Sequence, residues 1–300
     1  MDKLRAMAAF VQIVEKGSLT AAAEALDTSL PSTVRTLAAL ERSLGARLLN
    51  RTTRRIALTD EGRAYYDRAR RILGDVADVE AAVSQKQGAP RGRLAIGSSV
   101  LFGRLHLAPL VSEFLARHPG VKIELLMLDR VVNLVEEGLD ASVRIGTLAD
   151  SSLVAIAVGH TRRVVCASPA FLKRHGAPRV PADLSRQPCI RFTGTGSGDW
   201  EFKVGGKPAR VRVEGPIATN QVDAAIDACV QGLGYGKFLG YQVGAHVRAG
   251  RLRYVLETCE PEPMPVSLVY PQARLVSARL RAFIDWIVPR LRERVGAVKQ

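Results

Sequence analysis

Long apolar runs and a secretion signal are both missing from this 300-residue sequence. No apolar run approaches the ~18 residues that a membrane-spanning helix needs. Near the N-terminus, Asp2 and Glu15 flank an amphipathic stretch, which does not follow the plan of a secretory signal. We therefore expect a cytoplasmic protein that has no membrane partner.

Metal-ligand and disulfide spacings are missing as well. The four cysteines, Cys166, Cys189, Cys229 and Cys259, include no CxxC pair, and no histidine or cysteine lies at metal-ligand spacing from them. Scattered reduced thiols are the favoured interpretation, with no metal and no cofactor. Redox sensing stays open as an alternative, but it requires a reactive, partly exposed cysteine with a resolving partner.

No catalytic constellation is present either. The glycine-rich stretch 194–198 fits neither GxGxxG, the P-loop nor GxSxG, and it is more typical of a flexible turn. The five histidines form no metal-binding pattern and no base–nucleophile pattern. We therefore expect a protein that is not an enzyme.

Charge and length describe what the sequence does contain. Three hundred residues with 47% hydrophobic content predict two or three lobes with sizeable cores. The net charge of +14 indicates an anionic partner, yet residues 1–58 contribute only +4 and residues 59–90 contribute −1, so +11 lies beyond residue 90. The local signal is stronger, because the window 42–58 holds five arginines and no acidic residue: Arg42, Arg47, Arg51, Arg54 and Arg55. Such a patch is suited to binding phosphates.

The first 45 residues predict three short helices. Apolar residues recur at helical spacing from Leu4 to Val14, and Gly17 then ends the first helix. Ser18 can cap a second, alanine-rich helix over 19–26. Ser29 and Pro31 are suited to opening a third helix that runs to Gly45. On this third helix one face is apolar, with Thr33, Leu37, Leu40 and Leu44, and the opposite face carries Arg35, Ala38 and Arg42.

A hairpin and a long helix follow. Two short apolar strands between residues 47 and 58 flank a basic turn, which predicts a β-hairpin wing. Thr59 can cap a helix that continues to about Gln87. Along this helix a heptad seam is formed by Tyr65, Ala69, Ile72, Val76, Val79 and Val83. The seam indicates a two-chain coiled coil, and packing on the chain's own domain is the alternative.

The polar, Gly- and Pro-containing segment 84–92 predicts a hinge. Beyond it, strands at 94–96, 121–127 and 141–145 alternate with helices at 102–117 and 129–137. A second group has strands near 163–168, 210–214 and 233–238 and a helix at 220–231. This alternation predicts two α/β lobes with mostly parallel, doubly wound sheets.

Taken together, residues 1–73 resemble the LysR-type transcriptional regulators. The resemblance is carried by Phe10, the stretch Gly17–Ala23, Pro31, Leu40-Glu41, the stretch Leu44–Arg55 and Leu58–Gly62, and it continues with lower specificity through Leu139–Gly146, Gly232–Gly234 and Arg281–Phe283. It implies a multidomain α+β chain with an N-terminal winged helix-turn-helix (1–58), a long linker or dimerisation helix (59–87) and a hinge (88–92). The C-terminal effector domain (93–300) would be two-lobed, α/β and periplasmic-binding-protein-like, with one lobe at about 93–161 and 266–300 and the other at about 162–265.

The resemblance also implies double-stranded DNA as a partner, with the third helix in the major groove and the wing along phosphates or the minor groove. The expected DNA-binding residues are Ser29, Pro31, Ser32, Val34, Arg35, Arg51, Thr52, Thr53, Arg54 and Arg55. Arg35 is assigned to base reading or a nearby phosphate. Two departures remove polar base contacts, since the family commonly has glutamine at Leu30 and serine at Val34. Contact with thymine methyl groups is open for both, as is packing on the second helix for Val34.

The remaining expectations concern partners. The resemblance implies a homodimer or homotetramer that bends DNA and changes access for RNA polymerase, and a small-molecule effector held between the lobes. Because ligands of open α/β sheets gather at strand ends near helix N-termini, the expected effector contacts are Ser98, Ser99, Val100, Phe102, Phe192, Thr193 and Asn220. Arg144 is left out as a structural ion-pair partner. The basic second half hints at an organic anion. A solute-binding protein would share the lobes, but it would be exported and would not begin with a DNA-binding tandem.

Overall fold

The computed structural model describes residues 2–51, 56–83, 89–130, 132–148, 153–194, 198–272 and 276–296. The chain separates into two compact units, Met1–Gly92 and Arg93–Gln300. Within the described residues, no helix is both long and apolar enough to cross a bilayer.

The first unit packs three helices, a hairpin and a long helix around one small core. Its elements are α1 (Lys3–Lys16), α2 (Leu19–Ala25), α3 (Leu30–Leu44), β1 (Leu49–Arg51), β2 (Ile56–Leu58) and α4 (Asp60–Val83). The predicted helix boundaries follow from capping: the Ser18 and Ser29 hydroxyls accept backbone N–H bonds, and Gly17 and Gly45 take left-handed conformations after α1 and α3. The core residues are Ala6, Phe10, Ile13, Ala22, Leu37, Leu40, Leu48 and Leu49.

The start of α4 is fixed by contacts with the segment before β1. The Thr59 hydroxyl accepts a hydrogen bond from Gly62 N at 2.9 Å and donates one to the Arg47 carbonyl at 2.7 Å. A Cβ added at Gly62 would lie 1.9 Å from the Leu48 carbonyl oxygen. Only glycine therefore allows α4 to approach the backbone of the hairpin this closely.

Gly62→Ala is accordingly expected to lower the free energy of unfolding by about 1–3 kcal/mol, because the added methyl group must push α4 away from the hairpin. Urea unfolding of the full chain followed by circular dichroism measures the effect. Gly296→Ala is the control, since no atom of the described residues lies within 4 Å of a Cβ added there. Equal unfolding midpoints for the two variants would contradict this account of the contact.

The second unit contains two mixed sheets with helices around them. Its helices are α5 (Val100–Phe102), α6 (Ala108–Arg117), α7 (Leu134–Glu137), α8 (Pro169–His175), α9 (Val222–Val230), α10 (Gly240–Arg248) and α11 (Ala278–Gly296). Its strands are β3 (Gly92–Ser98), β4 (Val121–Met127), β5 (Ala141–Ile145), β6 (Leu153–Thr161), β7 (Arg163–Ala167), β8 (Cys189–Phe192), β9 (Asp199–Val204), β10 (Lys207–Arg212), β11 (Ala218–Thr219), β12 (Tyr235–Leu239), β13 (Arg253–Val255) and β14 (Met264–Pro271). A π-helical turn at Gly103–Leu107 joins α5 to α6, and short 3₁₀ turns lie at Pro181–Arg186 and Glu257–Cys259.

Each sheet defines one lobe. The first lobe has the strand order β4-β3-β5-β14-β6, and the second has β11-β8-β12-β7-β13, with β9 and β10 as a separate hairpin. The chain passes between the lobes twice, from β6 into β7 and from β13 back to β14. The expectation of mostly parallel sheets was wrong in this detail: β14 runs antiparallel to β5 and β6, and β7 runs antiparallel to β12 and β13. These strands lie next to the two lobe-to-lobe passages, where the chain enters a sheet without a βαβ crossover.

The second unit has one main core that reaches both lobes. It includes Ile96 and Phe283 in the first lobe and Val164 and Phe238 in the second. The expected helix over 129–137 was wrong for its first half: of the residues described in this range, 134–137 are helical, and Asn133 caps them by accepting the N–H of Val135. Asp129 therefore lies before α7, and its carboxylate accepts the N–H of Val100.

Candidate DNA-binding and effector sites

The N-terminus of α3 is exposed and held firmly against α2. The hydroxyl oxygens of Thr28 and Thr33 lie 2.9 Å apart, and Thr28 N donates to the Ala23 carbonyl, which fixes the turn between the two helices. Thr33 is buried, whereas Ser29, Leu30, Pro31 and Arg35 around it are exposed. The turn therefore presents the start of α3 in a defined orientation, as a recognition helix requires.

The α3 residues that the sequence nominated lie on or near this surface. Ser29, Pro31 and Arg35 are exposed, and Ser32 and Val34 are half-buried. Leu30 is 41% exposed, which leaves its side chain available for contact outside the domain. Leu44 was expected on the buried face but is 43% exposed, because it lies in the last turn of α3, beyond the core.

The hairpin is attached to α3 by one carboxylate. Glu41 Oε1 accepts the N–H groups of Leu48 at 2.8 Å and Leu49 at 3.3 Å. Strands β1 and β2 pair antiparallel from Leu49 opposite Leu58 to Arg51 opposite Ile56, as predicted for a wing. The side chain of Arg51 and the wing-tip residues Thr52, Thr53, Arg54 and Arg55 lie outside the described residues.

The predicted seam of α4 divides into two parts. Tyr65 packs against Phe10 with ring centroids 5.6 Å apart, and Ala69 is buried, so this part belongs to the domain's own core. Farther along, Ile72 is 41% exposed and Val79 is 53% exposed. The second part of α4 thus leaves large apolar side chains uncovered within a single chain.

A cavity of about 660 Å³ lies between the two lobes of the second unit. Ser98 and Ser99, which follow β3, and Phe192 and Thr193, at the end of β8, are in its wall. Sequence reasoning placed these four at the ends of strands, and the structure brings them together around one space.

Three nominated residues are not in the cavity wall. Phe102 is buried in the core, where its ring lies 5.4 Å from that of Tyr241. Val100 is half-buried, and its N–H donates to Asp129 Oδ1. Asn220 is exposed and does not cap α9, which begins at Val222 after Gln221. The capping expectation for Asn220 was therefore wrong by one position: Gln221 occupies the N-cap position, and the Thr219 hydroxyl accepts the N–H of Gln221, before the helix begins.

Charged residues that sequence reasoning missed also line the cavity. Among the described residues these are Asp129, Arg130, Arg144, Arg163, Arg191, Asp199, Glu201 and Lys237. Arg144, which was expected to be a structural ion-pair partner, is in the wall, and its guanidinium donates to the Val132 carbonyl. Burial lowers the pKa of Arg144. Burial, followed by the neighbouring charge of Arg163, lowers the pKa of Lys237 to about 7.

Tyr241 of α10 closes one part of the cavity. Its ring contacts those of Phe102 and His106 in the first lobe, and burial raises its pKa to about 12. The buried side of the cavity is therefore formed by both lobes together. A ligand there would contact both, so its binding could be coupled to their arrangement.

A helix-turn-helix with a hairpin, joined to a two-lobed unit with a cavity, defines a ligand-responsive DNA-binding regulator. The family model for bacterial regulatory helix-turn-helix proteins of the LysR family matches residues 4–63, and the model for the LysR substrate binding domain matches residues 87–292. The chain belongs to the LysR family: it is a DNA-binding transcriptional regulator with an effector-binding domain.

Individual relatives match over nearly their whole length. An HTH-type transcriptional repressor of Pseudomonas aeruginosa is 36% identical over 291 residues, covering 96% of this chain and 92% of the relative. The solved structure of CrgA, a LysR-type regulator from Neisseria meningitidis, is 32% identical with a TM-score of 0.62, covering 96% of this chain and 98% of that one. Full-length AphB, a virulence activator of Vibrio cholerae, is 25% identical with a TM-score of 0.62, covering 95% and 98%.

Proposed function

We propose that two copies of this regulator pair through α4 and place two α3 helices on a pseudo-palindromic operator, and that a small organic anion in the cavity changes this binding. The observation that carries the effector part is the cavity itself, which holds buried polar atoms without partners among the described residues: Ser98 Oγ, Asp129 Oδ2 and Arg191 Nε. Buried polar groups are normally hydrogen-bonded, so such a set favours a ligand or water there.

On the DNA side, the proposal gives Arg35 a base-reading role and gives Ser29, Pro31, Ser32 and Val34 positions along the groove. Arginine can donate two parallel bonds to guanine O6 and N7. The exposed Leu30 is suited to contact with a thymine methyl group, as is Val34. The basic wing segment 51–55 is proposed to bind phosphates, which sets register rather than sequence preference.

On the assembly side, two such dimers would form a tetramer that bends the DNA between their sites. Bending changes which promoter elements RNA polymerase can reach, so an effector that alters the bend alters transcription. Ligand binding between the lobes supplies the differential contact that such coupling needs, because only one arrangement of the lobes fits the ligand well.

A cavity-blocking variant tests the effector part. Thr193→Trp, at an exposed position in the cavity wall, is expected to abolish the change in operator footprint caused by the small-molecule fraction of an extract of the native cells. Operator affinity without the extract should stay within about twofold, because the DNA-binding unit is untouched. DNase footprinting of the full chain on a selected genomic fragment is the measurement.

Val180→Trp is the control, since it adds the same ring at an exposed position outside the cavity. It should respond to the extract as the unchanged chain does. An effector response that persists in Thr193→Trp would place the effector site elsewhere.

The redox alternative has less support from the structure. All four cysteines are buried and free. A hydrogen bond with Cys229, followed by burial, raises the pKa of Cys166, and burial raises the pKa of Cys189 to about 12. Because the thiolate is the reactive form, these environments disfavour oxidation and leave ligand binding as the better-supported signal.

A further inference from the structure

The two walls of the cavity differ in which of their charged groups already have partners. In the first-lobe wall, Arg130 is paired with Glu137 and the Arg144 guanidinium donates to the Val132 carbonyl, which leaves Asp129 as the group to consider. In the first lobe, Asp129 Oδ1 accepts the N–H of Val100 at 3.0 Å. This N–H begins α5, where a bound anion was expected. A carboxylate of the protein itself already occupies that position, so a ligand acid group would meet a like charge there.

The same wall offers acceptors that lack a donor. Asp129 Oδ2 is buried without a hydrogen-bond partner among the described residues, and so is the hydroxyl of Ser98. A buried carboxylate oxygen without a partner is costly, so the Asp129 carboxylate favours a donor beside it over a second acid group. The first-lobe wall therefore favours a hydroxyl or an ammonium group over an acid group.

The second-lobe wall has the opposite preference. Arg163, Arg191 and Lys237 lie in it, and Arg191 Nε is buried without a partner among the described residues. The Glu201 carboxylate is already engaged by Arg163 at 3.4 Å and by Arg210 at 3.0 Å. Lys237 Nζ donates to the backbone carbonyl of Glu201 at 2.6 Å, which does not neutralise its charge. The guanidinium and ammonium groups here are suited to a carboxylate.

Apolar side chains share the lining with these charged groups. Leu126 and Leu128 contribute from the first lobe, and Phe192 and Trp200 from the second. A mainly apolar site with a few polar groups is the usual form of a site that fixes a ligand's orientation.

We propose that the effector is a hydroxy acid or amino acid that binds in one orientation, with its carboxylate against Lys237, Arg163 and Arg191 and its hydroxyl or ammonium group donating to Asp129. This inference rests on the proposed effector site and names the class of ligand for it. The orientation places the acid group in the second lobe, away from the start of α5.

Matched sets of acids test the proposal on the full chain. The three members of each set share a skeleton and differ only in the donor: propionate, lactate and alanine; succinate, malate and aspartate; phenylpropionate, phenyllactate and phenylalanine. Titration calorimetry gives the dissociation constant of each. In at least one set, a donor-bearing member is expected to bind at least tenfold more tightly than the plain acid.

Two substitutions separate the ends of the ligand. Asp129→Asn replaces one carboxylate oxygen by an amide donor and is expected to reduce that tenfold preference to about twofold or less. Lys237→Met removes a charge at the other wall and is expected to weaken every member of the set by tenfold or more while leaving the preference unchanged. Asp223→Asn, an exposed carboxylate outside this cavity that pairs with Arg104, is the control and should change neither quantity.

A pH series adds an independent readout. Burial and the charge of Arg163 disfavour the protonated form of Lys237, and Glu201 favours it; Arg191 and Asp199 also lie in the same wall. Because the pKa of Lys237 is about 7 in the free protein and the acids stay ionised above pH 6, binding takes up a proton at higher pH. Affinity should therefore fall as pH rises from 6.5 to 8.5, by at most about tenfold per pH unit. Lys237→Met should remove that dependence.

The outcomes distinguish the ligand class from the site. Equal binding within every set, or a preference that survives Asp129→Asn, overturns the proposed orientation. If Lys237→Met still weakens binding in that case, the cavity remains the effector site. Binding that none of the cavity variants affects overturns the site as well. No binding by any member overturns the ligand class, and the footprinting response of Thr193→Trp then decides separately whether the cavity holds an effector.

Discussion

Val79→Asp is expected to lower the mass of the purified chain in light scattering and to weaken its operator binding by about 10²–10⁴-fold. A paired regulator binds two half-sites at once. Because the second contact is intramolecular, pairing raises the affinity for the operator by about 10²–10⁴-fold. A chain that cannot pair keeps only one half-site contact.

The structure identifies which part of α4 is available for pairing. Glu15 of α1 contacts the first half of α4, through Arg70 at 3.4 Å and the Tyr66 hydroxyl at 3.4 Å. Beyond that anchorage Ile72 and Val79 expose large apolar side chains seven residues apart, which is one heptad. Burying each against a second copy contributes about 1.5–3 kcal/mol, whereas an aspartate there would bring an unpaired charge into the contact.

Ala77→Asp is the matched control, because it adds the same charge to the same helix at an exposed position off the seam. It should keep the original mass and operator affinity. If Val79→Asp and Ile72→Asp both kept them too, α4 would not be the pairing surface, and the copies would have to associate through another face.

The helix boundaries of the first unit could be predicted because they depend on local chemistry. Ser18, Ser29 and Thr59 each accept a hydrogen bond from the N–H three residues ahead, within the first turn of the helix that follows. Gly17 and Gly45 end helices through left-handed backbone that other residues rarely adopt. None of these features needs knowledge of distant residues.

The buried face of α1 was harder to infer. The apolar spacing selected Leu4, but Leu4 is exposed and the core is built on Phe10 and Ile13. Alternative stripes of similar hydrophobicity exist on this alanine-rich helix, and the choice depends on where α3 and α4 pack. Tertiary packing decides it rather than helical periodicity.

The cavity shows the same limit. Ser98, Ser99, Phe192 and Thr193 were found because strand ends can be located in a sequence. Asp129 was assigned to a helix, and Lys237 lies inside a strand, so neither was a candidate. Their roles depend on contacts across long stretches of chain, such as Lys237 with Glu201, 36 positions apart. A lysine in an otherwise apolar strand, YGKFL, was the available signal.

Arg35→Ala is expected to weaken binding to the specific operator by about 1–3 kcal/mol for each copy of the chain. In a symmetric dimer both copies lose the contact, so the affinity falls by the square of the single effect. Arg35 is exposed on α3, so its removal should leave folding unchanged. Gel shifts with specific and scrambled fragments, at fixed salt, measure both affinity and preference.

Two further variants decide what Arg35 contacts. Arg35→Lys retains the charge but not the two-pronged donor, so it should restore binding to any fragment while leaving preference at one base pair relaxed. Arg68→Ala, which removes the same charge from an exposed position on α4, should leave the preference intact. Arg35 would be a phosphate contact if Arg35→Ala weakened binding to specific and scrambled fragments equally and reduced the salt dependence of binding by about one ion. Base reading would then be assigned to Leu30, Val34 and the other residues at the start of α3.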